Sequence, residues 1–149
     1  MSPCPEASYD EGRGFAYMKL TYLGIAAVLG AGMAVTQHYA LLHYWYWSYP
    51  WLDLVIHFSG GVVITLIAVA YVGAGLRAFL IMITIGILWE VYEFVIGISV
   101  AELNFVTDSL VDLGMDVVGG LFVCGMMRVW EKYRLRLPVE RAESPDQTS

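Results

Sequence analysis

The sequence predicts an all-α, polytopic membrane protein built as a bundle of four transmembrane helices. Of its 149 residues, 58% are hydrophobic and only 15% charged, and the mean hydropathy of +0.63 lies outside the balance of a water-soluble domain. Four apolar stretches, at about 17–39, 52–74, 78–98 and 108–130, each reach the ~20 residues that a helix needs to cross a bilayer. A four-span topology also places every basic residue on one side. Arg13 and Lys19 precede the first span, Arg77 lies between the second and third, and Arg128, Lys132, Arg134, Arg136 and Arg141 follow the fourth. Since Lys and Arg mark the cytoplasmic face, the expectation is a protein of the cytoplasmic membrane with both termini in the cytoplasm.

Residues 1–16 mix Pro, Glu, Asp, Ser and Gly without periodicity and read as a mobile tail. The membrane domain then runs over 17–137. Its first span carries Gly24, Ala27, Ala31, Ala34 and His38 in a three-four-three-four rhythm, a small-residue stripe suited to close helix packing. It ends in Gln37-His38-Tyr39 without a small-residue cleavage pattern, so it is expected to stay attached. The outer loop, His43 to Trp51, is rich in Tyr and Trp and reads as an aromatic belt at the headgroup level, where His38 and His43 are also at home.

In the second span Asp53 and His57 are four apart and share a face, which Gly60 and Gly61 continue one turn deeper. The third repeats the arrangement with Gly86, Glu90, Glu93 and Gly97. A short segment, 99–107, leads to Asp108, placed to cap the fourth span. Asp108, Asp112 and Asp116 step by four along that span, with Gly119 and Gly120 beyond them. Residues 138–149 read as a second mobile tail. Cys4 and Cys124 lie in unrelated settings and read as free thiols.

At ~1.5 Å per residue, His57, Glu90, Glu93, Asp112 and Asp116 lie about 6 to 12 Å beneath the outer surface. Each charge at such depth costs on the order of 2.5 to 3.5 kcal/mol, and the basic residues belong to the opposite face. Either protonation or a bound cation must offset that cost. Asp53, His57, Glu90, Glu93, Asp112 and Asp116 form the candidate metal set. A carboxylate-rich site with one imidazole suits a divalent ion such as Mg²⁺, Mn²⁺, Ca²⁺ or Zn²⁺.

The ordered motifs Asp53-x3-His57-Phe58-x-Gly60, Trp89-Glu90-x2-Glu93-Phe94 and Asp108-x3-Asp112-x3-Asp116-x2-Gly119 resemble the YjdF-like inner-membrane proteins and, more distantly, the VanZ-like family. The resemblance covers about half the chain, Asp53 to Gly120. It implies an inner-membrane location and supplies motif positions rather than a reaction.

The leading expectation is a metal-dependent membrane hydrolase or transferase, with Glu90, Glu93 and Asp112 as catalytic candidates, acting on a lipid-linked or phosphorylated envelope substrate. The competing expectations are a small cation or proton transporter, which with four spans per protomer calls for a homo-oligomer, and a non-catalytic membrane subunit whose acids serve as interhelical hydrogen-bond glue. Membrane lipids are the expected surroundings, and no nucleic acid partner is expected.

Overall fold

A computed structural model describes the backbone of residues 6–96 and 105–142, and side chains within 16–133 except for Trp47 and residues 97–104. The chain forms α1 (Glu6–Leu42), the short α2 (Trp45–Ser48), α3 (Trp51–Val72), α4 (Leu76–Ile96) and α5 (Phe105–Ala142), with no strand among the described residues. Four of these helices are long and apolar enough to cross a membrane, at Ala16–Leu42, Trp51–Val72, Leu76–Ile96 and Phe105–Tyr133. The chain is thus an integral, multi-pass membrane protein. Both long outer helices run beyond their spans: α1 starts at Glu6 and α5 reaches Ala142, carrying helix into segments that composition alone marks as tails. Residues 1–5, 97–104 and 143–149, with Gly97 and Cys4, lie outside the described residues.

Each turn has a local cause. The α1 to α2 corner passes through Tyr44 at φ 56°, a left-handed conformation that turns the chain back over the bundle. The α3 to α4 reversal uses Gly73 (φ 78°) and Gly75 (φ 150°), positions where a side chain would be strained.

The central helix is α3. It touches every other helix, whereas α4 and α5 pack on it and on each other, and α1 packs chiefly on it alone. Its buried residues include Val62, Val63, Leu66, Ala68 and Val69, which meet Ala26 of α1, Val123 of α5 and Ala78 of α4. Outward faces carry Leu20, Val28, Leu88, Val95, Leu121, Phe122 and Val129. So much exposed apolar surface would be an aggregation hazard in water and is the natural complement of lipid tails.

The small-residue stripe of α1 points the other way from the sequence expectation. Ala27, Ala31, Ala34 and His38 are exposed, and a Cβ added at Gly24 would meet nothing within 4 Å. The packing face is instead Tyr22, Ala26, Gly30, Met33, Gln37 and Ala40, with Ala26 and Ala40 buried and Gly30 against Val63 of α3. Both faces have helical spacing, so periodicity alone could not rank them. Tyr22 packs beside Ala26 on the apolar cluster that α3 forms.

Backbone contact at the α3/α5 crossing demands glycine. A Cβ on Gly61 would fall on the Asp116 carbonyl, and one on Gly119 on the Phe58 carbonyl. This is the close approach expected of the two glycine pairs. At the opposite end of the bundle the Lys19 ammonium sits 4.1 Å from the Tyr71 ring centre, joining α1 to the last turn of α3.

Candidate metal centre

Three helices deliver side chains to one buried imidazole. His57 is 5% exposed, two turns into α3. Around it stand four carboxylates: Asp53 Oδ1 at 3.9 Å and Asp112 Oδ2 at 3.8 Å from Nε2, with Glu90 Oε1 at 3.9 Å and Asp116 Oδ2 at 3.7 Å from Nδ1. Helical phase explains the convergence, since Asp53 and His57, and likewise Asp112 and Asp116, are one turn apart on the faces that α3 and α5 turn toward each other.

These separations are informative. They exceed the 2.7–3.2 Å of a hydrogen bond between nitrogen and oxygen. They match two ligands of one ion, because donors each ~2.1 Å from a common centre lie roughly 3.0 to 4.2 Å apart as their angle opens from square to straight. Two triads, Asp53–His57–Asp112 and His57–Glu90–Glu93, have donor atoms all within 4.8 Å of one another. The cluster could therefore hold a metal ion, and its mixed nitrogen and oxygen donors suit several divalent metals.

Orphaned oxygens reinforce the fit. Asp112 is 2% exposed and its Oδ1 is buried without a hydrogen-bond partner, as is Oε1 of Glu90. A buried acceptor left unpaired costs about 1 to 3 kcal/mol, more if charged. Among the described residues no Lys or Arg forms an ion pair with these acids.

Asp116 owes its place to missing side chains. Its Oδ1 lies 3.4 Å from where a Cβ on Gly60 would be, and its Oδ2 2.9 Å from one on Gly86. Glycines of α3 and α4 thus open a slot that brings the carboxylate to Nδ1. Glu93 is held from its own helix, where the Trp89 indole N–H donates to its Oε1 at 2.9 Å.

Asp108 lies outside both triads and is only half-buried. Because α5 begins at Phe105, Asp108 falls inside the first turn and does not cap it. Asp53 likewise lies in the first turn of α3, whose cap position is Pro50. A negative charge there is favoured by the helix dipole without any capping bond.

Two participants escaped the sequence reading, Gln37 of α1 and Tyr46 of α2. The Tyr46 hydroxyl donates to Gln37 Oε1, closing the cluster on the aromatic side. Burial, followed by the charges of Asp53 and Glu93, pushes the Tyr46 phenol up to about 12. The sequence signal was the position of Gln37, an amide near the end of the first span and one helical step from the packing residue Met33. The rest of the loop behaves as a belt: His43 stacks on Tyr39 and on Trp45, with centroids 6.1 and 5.9 Å apart, and Tyr44, Trp45, Tyr49 and Trp51 are exposed. Cys124 is a free thiol.

Comparison with family models, curated proteins and solved structures finds no match to this chain.

Proposed function

We propose that this protein is a metal-dependent enzyme of the cytoplasmic membrane, with both termini cytoplasmic and the acidic cluster facing outward. Its substrate would be a lipid-linked or phosphorylated component of the cell envelope. The observation that carries the reading is the ring of four carboxylates at 3.7 to 3.9 Å from one buried imidazole, with two of their oxygens otherwise unpartnered. The resemblance to YjdF-like and VanZ-like proteins belongs to the same proposal.

Asp53, His57, Glu90, Asp112 and Asp116 would hold a divalent ion, whose contribution is to polarise a phosphoryl oxygen or acidify water. Glu93, half-buried and steadied by Trp89, is placed to accept the proton of an attacking water. A phosphorylated group could rely on the ion for charge compensation, there being no ion-paired Lys or Arg in the cluster among the described residues. The exposed rings of the α2 loop would line the approach from the lipid headgroups.

The test is metal analysis of detergent-purified protein after loading with Mn²⁺ or Zn²⁺ and removal of excess. Wild type should retain metal, and Asp112→Asn should lower affinity by at least 100-fold. Failure of the wild type to retain either ion removes the proposal. Phosphate release from lipid phosphates in proteoliposomes then tests the reaction.

A second reading, cation transport, draws on one residue. Thr65, two turns beyond His57 on α3, is fully buried, and its Oγ1 lacks a hydrogen-bond partner beside Gly120. A polar group there extends the line of the cluster toward the basic end. Met82 and Leu66 are packed tightly at the same level, so the line is closed in this conformation. Ion flux in vesicles decides between the two.

A further inference from the structure

The cluster is not equally sealed on every side. The Asp53 side chain is 34% exposed and that of Glu90 12%, whereas Asp112 and Asp116 reach 5% at most. Glu93 is half-buried. A group arriving from outside therefore meets the cluster first at Asp53 on α3 and Glu93 on α4.

Tyr46 stands at that opening. It belongs to α2, a single helical turn that packs on α1 and on α3, whose first turn holds Asp53. Among the described side chains from His43 to Trp51, Tyr46 alone is withdrawn from the surface. Its phenol lies in the field of Asp53 and Glu93, and its hydroxyl donates to Gln37 Oε1 of α1. The turn that carries it is bounded by two non-helical joints, Tyr44 at φ 56° and Tyr49 at φ -136° and ψ 76°.

We propose that Tyr46 and Gln37 form a latch over the outer opening of the cluster, which parts each time a divalent cation enters or leaves. This inference rests on the metal-binding reading above and names what governs access to that same site.

Neutral partners suit the task. A Lys or Arg at this place would pair with Asp53 or Glu93 and compete with the incoming cation, and an aliphatic side chain would offer the cation nothing. A phenol and an amide close the opening with one uncharged hydrogen bond, weak enough on balance to break often. Once they part, both oxygens are free acceptors for a partly hydrated cation on its way to the carboxylates. The joints at Tyr44 and Tyr49 let α2 swing without unwinding α1 or α3, since the dihedral change falls outside the long helices.

A latch acts on rates and a ligand acts on affinity, which is how the two are told apart. Zn²⁺ is the probe. Detergent-purified full-length protein loaded with Zn²⁺ is mixed rapidly with excess fluorescent zinc chelator to give the release rate, and equilibrium competition with the same chelator gives the dissociation constant. Tyr46→Phe and Gln37→Leu should each release Zn²⁺ about fivefold faster than wild type, the factor expected for one lost neutral hydrogen bond. The dissociation constant should stay at the wild-type value, because entry accelerates equally. Since both substitutions break the same bond, the double variant should be no faster than either single one. Tyr39→Phe, which removes a hydroxyl from an exposed ring of the aromatic belt, should behave as wild type. Wild-type release rates in both single variants would reduce the bond to a tether of α2 and overturn the latch. A dissociation constant that rises in step with the release rate overturns it too, by making the pair part of the binding site itself. If wild type retains no Zn²⁺, the metal reading fails and the latch with it.

Discussion

Along the α3/α5 contact, the half nearer the aromatic loop and the half nearer the basic end are made by the same two helices with opposite chemistry. The first brings Asp53, His57, Asp112 and Asp116 together; the second packs Val62, Val63 and Leu66 against Val123, with Ala26 of α1 behind them. The glycine crossing of Gly61 and Gly119 lies between. In the apolar half every contact favours association, through dispersion and shape. In the acidic half close approach raises the cost until something neutralises it. One half can hold the bundle together without a ligand, and the other is favourable only once protons or a bound cation offset its charge. Apolar packing and the candidate metal centre are divided along a single helix pair.

The sharpest way to break this division is at the crossing itself. Gly119→Ala places a methyl on the Phe58 carbonyl, and backbone cannot step aside as a flexible side chain can. We expect a loss of about 3 kcal/mol, seen as a lowered thermal midpoint in detergent, together with loss of metal retention, since both halves depend on the same approach. Gly114→Ala on the same helix is the control. An added Cβ there meets nothing within 4 Å, so stability should hold or rise by up to about 1 kcal/mol. Equal damage from the two substitutions would show that the loss is not specific to the crossing.

Removing the ligand should affect only the acidic half. Metal at 100 times its dissociation constant adds about 2.7 kcal/mol to stability, and a chelator should withdraw that increment from the wild type. In Asp112→Asn, bound at least 100-fold more weakly, the metal-dependent increment at the same concentration should fall to about 0.4 kcal/mol or less. A chelator effect in that variant as large as the wild type's would mean that Asp112 is no ligand.

The complementary change lies in the apolar half. Leu66→Ala should cost about 2 kcal/mol through lost packing, visible in melting with or without metal, while the metal-dependent increment stays at its wild-type value. If the increment shrinks in proportion, the two halves are coupled and the division fails.

The sequence showed the acidic half more clearly than the apolar one. Four-residue spacing put Asp53 with His57 and Asp112 with Asp116 on shared faces, and counting from the span ends put His57, Asp112 and Asp116 about 6 to 12 Å deep; the structure joins them around one ring. Charge in an apolar run is a strong signal because so few environments tolerate it. The packing face of α1 had no such signal, for Ala27 and Ala31 suit lipid and Ala26 and Gly30 suit helix contact, and only the shape of α3 distinguishes them. Asp108 shared the spacing of its neighbours but not their burial, since it lies in the first turn of α5, one turn nearer the helix end than Asp112. Tyr46 was invisible for the opposite reason: among so many loop aromatics, nothing in its neighbours marks it as turned inward.

Tyr46 offers the finest measure of how far the acidic half extends. Its phenol is pushed up to about 12 by burial first and by Asp53 and Glu93 next. Phenolate absorbance near 295 nm, taken as wild type minus Tyr46→Phe, should therefore titrate well above the ordinary value of about 10. The folded state keeps this proton longer than the unfolded chain does, so the contribution of Tyr46 to stability is whole below pH 10 and is lost as pH rises from 10 to 12. Asp53→Asn removes one of the two charges and should lower the titration midpoint while leaving the larger effect of burial in place. Metal bound in the cluster should lower it as well, because a cation offsets the same carboxylates. A midpoint that ignores both Asp53→Asn and metal would place Tyr46 outside the field of the cluster, with Gln37 as its only functional contact.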